Sequence, residues 1–251
     1  MSRTAIDRLL IIGGVFLLWQ ALHLWAGSLA MPSPWGTVLT AVRLIANDGF
    51  ARHALASLEA LALAFAIAAA GGIGLGVWLG ASRVAGAVAE PILTALYALP
   101  KVTLYPMILL IFGLGLSAKV AFGAIHGIMP ITLFVMTGVR NIPTVYLKAA
   151  HSLRMSPAQA AFHVLLPAAL PELLSGLRVG LSLTLLGTLI GEMFASREGL
   201  GYLLMQGIAL VEGERILAIT LILFVAAVSL NMLLHRFERR ARGRFRADAV
   251  V

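Results

Sequence analysis

The chain has 251 residues, of which 60% are hydrophobic and 12% charged, with 19 Lys and Arg against 11 Asp and Glu and a net charge of +8. Soluble domains run about half apolar and about a quarter charged, so an ordinary soluble domain is excluded. The absence of Cys removes disulfides and thiolate metal sites. The apolar residues fall in blocks near the ~20 residues that cross a bilayer, and the alternation of a β-barrel over ~10-residue segments is missing. The expectation is an all-α polytopic membrane protein with about six transmembrane helices.

The first block, Leu9–Trp25, follows Arg3 and Arg8. A cleaved signal peptide would fit the small residues Ala26, Gly27 and Ser28. The length of the run and the aromatic pair Trp19 and Trp25 near its far end argue instead for an uncleaved span. The segment Gly27–His53 contains Pro32, Pro34 and an apolar stretch around Val38–Ala46 that reads as an interfacial helix on the outer surface. Residues 1–53 thus form an N-terminal unit of one span and one outer segment.

The second block, Ala54–Leu79, carries small residues four apart at Ala64, Ala68, Gly72, Gly76 and Gly80, a ridge that lets another backbone approach closely. Its Gly-rich run has neither the preceding strand nor the following polar helix of a nucleotide fingerprint. Glu59 lies deep enough to need a partner, with Arg178 or Lys101 as candidates. The third block, Ile92–Phe112, is interrupted by Pro100 and Pro106, and the fourth, Val120–Val139, by Pro130. Lys101 sits at the first interruption beside Thr103 and Tyr105. It reads either as a cation lining the path of an anionic substrate or as a lysine that snorkels or pairs with Glu59 or Glu90. His126, with Gly123 and Gly127, is a candidate pathway group or a hydrogen-bonded packing histidine.

Residues 140–171 are polar and basic and separate two apolar blocks. Pro143 opens a first short helix over Thr144–Leu153; Ser156 caps a second, with Pro157 at its first position and Gln159 three residues after the cap. Pro167 and Pro171 mark the return to the membrane. A connector needs far fewer residues, so this hairpin reads as a docking surface for another protein. The fifth block, Leu170–Ile190, offers the hydroxyls of Ser182, Thr184 and Thr188 to a substrate or to neighbouring helices, and Glu192 near its outer end reads as interfacial or as a gate. Phe194–Arg215 reads as a re-entrant turn, a short helix or, first among these, a solvated connector. The sixth block is Ile216–Leu234.

With an even number of crossings, the excess of Lys and Arg on one side places both termini in the cytoplasm. A permease core of 54–238 is then followed by a basic cytoplasmic tail, 239–251, whose arginines also meet anionic lipid headgroups. The net charge is absorbed in this way and requires no nucleic acid.

The sequence "LKAAHSLRMSPAQAAFHVLLP" from Leu147 to Pro167 resembles the Glu-Ala-Ala loop of permease subunits in bacterial ATP-binding-cassette importers, through Ala149, Ala150, Val164, Leu166 and Pro167. "LPKVTLYPMILLIFGLG", "LPAALPELLSGLRVGLSL" and "GEMFASREGLGYLL" are similar to the nitrate, sulfonate and taurine branch of that family. Lys148 stands where the family usually has Glu, and Arg154 where it usually has Gly. The resemblance implies a type I importer permease fold in the bacterial inner membrane and a cytoplasmic coupling-helix hairpin. It implies coupling residues Lys148, Ala149, Ala150, Leu153, Arg154, Met155 and Pro167. Pathway candidates are Lys101, His126, Ser182, Thr188 and Glu192. The implied partners are two ATPase subunits, a periplasmic or lipoprotein substrate-binding protein and a second permease copy, simplest as a homodimer. No GxxxxGK[ST] phosphate loop occurs in the sequence, so the chain holds no cofactor of its own and ATP with Mg belongs to the partner. The alternatives are a self-sufficient secondary transporter or channel and, further off, an intramembrane protease using Ser175. The first would need acidic coupling pairs or an internal repeat; the protease would need a facing histidine that His163, in the loop, does not supply.

Overall fold

The computed structural model describes residues 3–28 and 30–247. The helices in chain order are α1 (Arg3–Ala26), α2 (Pro34–Ile45), α3 (Asp48–Ala81), α4 (Arg83–Ala98), α5 (Tyr105–Phe112), α6 (Leu116–Arg140), α7 (Thr144–Ser152), α8 (Pro157–Ala160), α9 (Leu166–Ala195), α10 (Leu200–Ala209) and α11 (Gly213–Ala247). Side-chain caps set several starts. The Ser33 hydroxyl accepts from the Gly36 amide at 3.0 Å with Pro34 at the first helical position, and Asn47 does the same for Gly49 at 2.9 Å. Ser82 accepts from the Ala85 amide at 3.2 Å, which lets α4 restart one residue after α3 ends.

The core is a three-helix sandwich with α6 in the middle. The ridge of α3 meets α6 of the same chain and runs parallel to it, Ala64 facing Gly123, Ala68 facing Gly127, and Gly72, Gly76 and Gly80 facing Ile131, Val135 and Val139. A Cβ added at Gly76 would lie 2.7 Å from Val135 Cβ and 2.9 Å from the Thr132 carbonyl, so the backbones touch with no room for a methyl group. On its other face α6 packs antiparallel against α9, where Gly176, Gly180 and Gly187 meet Phe134, Ile131 and His126. Ile131, Val135 and Met136 are wholly enclosed, and so is Phe122, which packs against Tyr105 and Ile108 of α5. Without a hydrophobic drive between helices in lipid, this close small-against-large fit is what holds the sandwich together.

Among the described residues, four helices are long and apolar enough to cross a bilayer: Asp48–Ala81, Leu116–Arg140, His163–Phe194 and Gly213–Arg236. The third expected block is not a straight span: α4 and the following segment Lys101–Phe112 meet at 85°, with a 3₁₀ turn at Lys101–Leu104 as the elbow. Pro100 cannot continue α4, and Pro106 opens the next helix at its first turn. The fourth block, by contrast, is continuous through Pro130, because α3 and α9 enclose α6 on both sides and hold the helix where the proline removes a bond. The first block is a shorter apolar helix, Leu10–Ala26. It is tied to the chain beyond it by Trp19 Nε1 donating to the Pro32 carbonyl at 3.1 Å.

Other boundaries shift as well. The line between 53 and 54 cuts α3, which begins at Asp48, and the line after 238 cuts α11, which continues to Ala247. The tail is therefore a helical extension through Ala247. Residues 248–251, and the side chains of Arg3, Arg8, Arg240, Arg242, Arg244 and Arg246, lie outside the described residues. Phe194–Arg215 is not a solvated connector: α10 forms there and buries Leu200, Gly201, Leu203 and Gly207 against its neighbours.

Candidate functional site

At one end of the sandwich α7 stands away from the core. Pro143 precedes it, and its far end closes with paired bonds from Arg154 N to His151 O at 2.9 Å and Met155 N to Ala150 O at 3.0 Å. This is a Schellman closure with Arg154 at the left-handed position, φ 50°. Glycine takes that conformation at no steric cost, while a side chain adds of order 1 kcal/mol. Arg154 thus keeps the turn that a glycine would make. After it, Ser156 and Gln159 bond reciprocally, Ser156 N to Gln159 Oε1 at 2.9 Å and Gln159 N to Ser156 Oγ at 3.3 Å, the capping box expected from the sequence.

The second helix of the expected hairpin is not separate. α8 passes without a break through a π turn, Ala161–Leu165, into α9, so Pro167 and Pro171 lie inside one long helical run. The π turn lies immediately before Leu166 and Pro167 and takes up the register mismatch there. Pro167 therefore does not close the unit. Of the coupling candidates, Lys148, Ala149, Leu153 and Arg154 are exposed, Leu153 at 74%, whereas Ala150 is buried at 4% and Met155 is half-buried.

Lys101 lies at the α4–α5 elbow, 9% exposed. Its Nζ donates to the Tyr97 carbonyl at 2.9 Å, capping the end of α4, and lies 5.2 Å from the centre of the Tyr97 ring. It pairs with neither Glu59 nor Glu90: Glu90 is engaged by Arg140 at 2.7 Å. Nor does Arg178 serve Glu59, since its guanidinium pairs with Glu238 at 3.2 Å. His126 Nδ1 lies 2.8 Å from the Phe122 carbonyl, and its ring stands edge-on to Phe122 at 4.5 Å. Ser182 accepts from Asn231 at 3.0 Å, joining α9 to α11, and Thr188 donates to the carbonyl of Thr184 at 2.8 Å.

Glu192, expected near the outer end of its span, is turned into the protein. It is fully enclosed and accepts from Ser57 Oγ at 2.7 and 2.8 Å and from the Gly201 amide at 2.9 Å, with Lys119 Nζ 3.8 Å away. Ser57 also accepts from the Leu200 amide at 2.8 Å, and His53 Nδ1 from Gly199 N at 3.1 Å. The free amides at the start of α10 are thus answered by side chains of α3 and α9, with a carboxylate where the helix dipole favours one. Sequence reading missed this knot. Its signal was two opposite charges, Lys119 and Glu192, each at the edge of an apolar block, but nothing in their separation says that they face each other.

Residues 72–243 match the family described as binding-protein-dependent transport system inner membrane component. The chain belongs to this family. A probable ABC transporter permease protein of Haemophilus influenzae is 32% identical over 239 residues, covering 91% of this chain and 95% of the relative. The taurine transport system permease protein TauC of Escherichia coli is 28% identical, covering 84% of this chain and 79% of its own. The nitrate import permease protein NrtB of Synechocystis is 29% identical, with 76% and 72% covered. In fold, the chain matches a protein of the inward-facing MetNI methionine ABC transporter with a TM-score of 0.66 at 20% identity, over 76% of this chain and 95% of that one. It is a multi-pass permease of the importer class, a transport component that works with separate ATPase and substrate-binding subunits. A self-sufficient transporter, a channel and an intramembrane protease are set aside by that membership.

Proposed function

We propose that this permease forms a homodimer in the bacterial inner membrane, with both termini cytoplasmic, and imports a small anionic solute of the sulfonate, taurine or nitrate type delivered by an external binding protein. The observation that carries the reading is α7, a short, largely exposed helix that begins after Pro143 and is closed at its far end by its own hydrogen bonds, in a chain of this family. The ATPase subunits, which hold ATP and Mg, dock on the face made by Lys148, Ala149, Leu153 and Arg154. Ala150 and Met155 support that face from below, since Ala150 is buried and its carbonyl takes the bond from the Met155 amide.

Closure of the ATPases on ATP draws the two α7 helices together. Because α8, the π turn and α9 form one helical run, a shift at the loop is carried along α9 past Ser182 and Thr188 to Glu192. The cavity between the two copies then changes its opening as a rigid-body switch biased by differential binding. In proteoliposomes holding permease, ATPase and binding protein, Leu153→Asp is expected to leave basal ATP hydrolysis intact while removing its stimulation by loaded binding protein and abolishing uptake. Full stimulation in that variant overturns the docking assignment. Ala150→Asp is the poorer probe, because it forces a charge into a buried position.

Lys101 is assigned to the pathway as the cation that attracts the anion. It is buried at a broken span with one carbonyl as its hydrogen-bond partner, and an ammonium has three donors to satisfy. Lys101→Met is expected to cut uptake of the anion at least about tenfold, the worth of one charge-assisted bond. Normal uptake removes Lys101 from the pathway.

A further inference from the structure

The α10 end of the molecule contains a cavity of about 510 Å³ between α3, the start of α6 and the α9–α10 turn. Four charged side chains line it: Glu59, Lys119, Arg197 and Glu198. Two of them are already committed. Lys119 faces Glu192 at 3.8 Å and donates to Ser196 Oγ at 3.3 Å and the Glu198 carbonyl at 3.4 Å, and the Glu198 carboxylate faces Arg52 at 3.6 Å. The other two are not. Neither Glu59 nor Arg197 has a hydrogen bond or ion pair within the described residues.

Glu59 is exposed and stands about 16 Å along α3 from its first residue, in a helix whose most apolar 18-residue stretch has a mean hydropathy of 2.1. A carboxylate on a helix that enters the membrane is accommodated where it lines a wet cavity or meets a cation. A carboxylate and a guanidinium, both open, on the walls of one cavity form a site with a charge pattern of its own. A plain anion bound to Arg197 would be repelled by Glu59, and a plain cation would suffer the reverse. A small molecule with an ammonium at one end and an oxyanion at the other satisfies both, and the apolar side chains of Leu114 and Phe194, also in the lining, suit a short methylene link between the two charges.

We infer that this cavity binds a small zwitterion carrying an ammonium and a sulfonate or carboxylate, with Glu59 taking the ammonium and Arg197 the oxyanion. The inference rests on the importer reading and narrows its substrate class: an amino-sulfonate fits, and nitrate or an unsubstituted alkanesulfonate does not. Arg197 is the fork that matches a sulfonate or carboxylate through two parallel bonds.

The test uses the assembled permease and ATPase in nanodiscs without the binding protein, so that the binding protein's own selectivity cannot decide the result. Equilibrium binding is measured with labelled taurine and with ethanesulfonate, which lacks the amine. Wild type should bind taurine at least roughly tenfold tighter than ethanesulfonate. Glu59→Gln should remove that preference, and Arg197→Gln should weaken both probes. Equal binding of the two probes by wild type overturns the inference, as does a preference that survives Glu59→Gln. If Glu59→Gln does not assemble, Arg197→Gln decides: unchanged taurine binding in that variant overturns the site, and lost binding supports it. Stimulation of ATP hydrolysis by binding protein, measured on the same wild-type preparation, separates the two claims. Stimulation without zwitterion preference sinks the cavity alone, whereas its absence with any loaded binding protein sinks the importer reading.

Discussion

The two ends of the three-helix sandwich are built on opposite principles. At the α10 end, the loop helix is fastened to the core: its first amides are taken by His53, Ser57 and Glu192 from two different helices, and Lys119 closes the charge. At the α7 end, the loop helix satisfies itself, through its own Schellman closure and the capping box that follows. Both loops use a left-handed residue that is not glycine, Arg154 at φ 50° and Val211 at φ 57°. The difference shows how a helical permease divides labour. The knotted end moves only with the core, while the self-contained end offers exposed side chains to a partner and passes their displacement into α9.

The largest expected effect is at the knot. Glu192→Ala leaves Lys119 buried without its carboxylate and should cost about 3–5 kcal/mol of stability, read by thermal unfolding in detergent. A cost below about 1 kcal/mol would mean that the α10 end is not fastened as described. Next is the seam on which both ends depend. Gly76→Val drives a side chain into Val135 and the Thr132 carbonyl, and should cost about 1–3 kcal/mol or prevent assembly. A variant that folds with wild-type stability would show that α3 and α6 are not in contact there. Smallest is the self-contained turn: Arg154→Gly relieves the left-handed strain and should stabilise it by up to about 1 kcal/mol. Hydrogen exchange at α7 amides checks this, and faster exchange in the variant would show that the Arg154 side chain supports the turn.

Much of the α7 end was legible because its determinants are local. The Ser156–Gln159 box and the Pro143 start are read from residues a few positions apart, and the structure keeps both. What was not legible there is the continuity of α8 with α9. Pro167 and Pro171 read as stops, and only a π turn upstream makes them tolerable in one helical run. The α10 end was nearly opaque. Glu192 and Ser57 are 135 positions apart, and the segment after Glu192 dips in hydrophobicity, which reads as solvent exposure when it is a cap buried against two other helices. The ridge on α3 was legible as a packing surface, but its partner was not, because small residues four apart fit any close backbone.

By itself, the sequence determined that the chain crosses a membrane several times as helices, where the long polar loop lies and which family loop it resembles. These depend on hydropathy over windows of about 20 residues and on caps that act within one turn. Tertiary structure decided that α6 is the central helix, that Ile92–Phe112 bends at Lys101, and that Glu192 is an enclosed fastener. It also decided that Glu59 and Arg197 share a cavity. Each of these depends on which faces meet across long separations, and a periodic pattern along one helix carries no record of the helix it will touch.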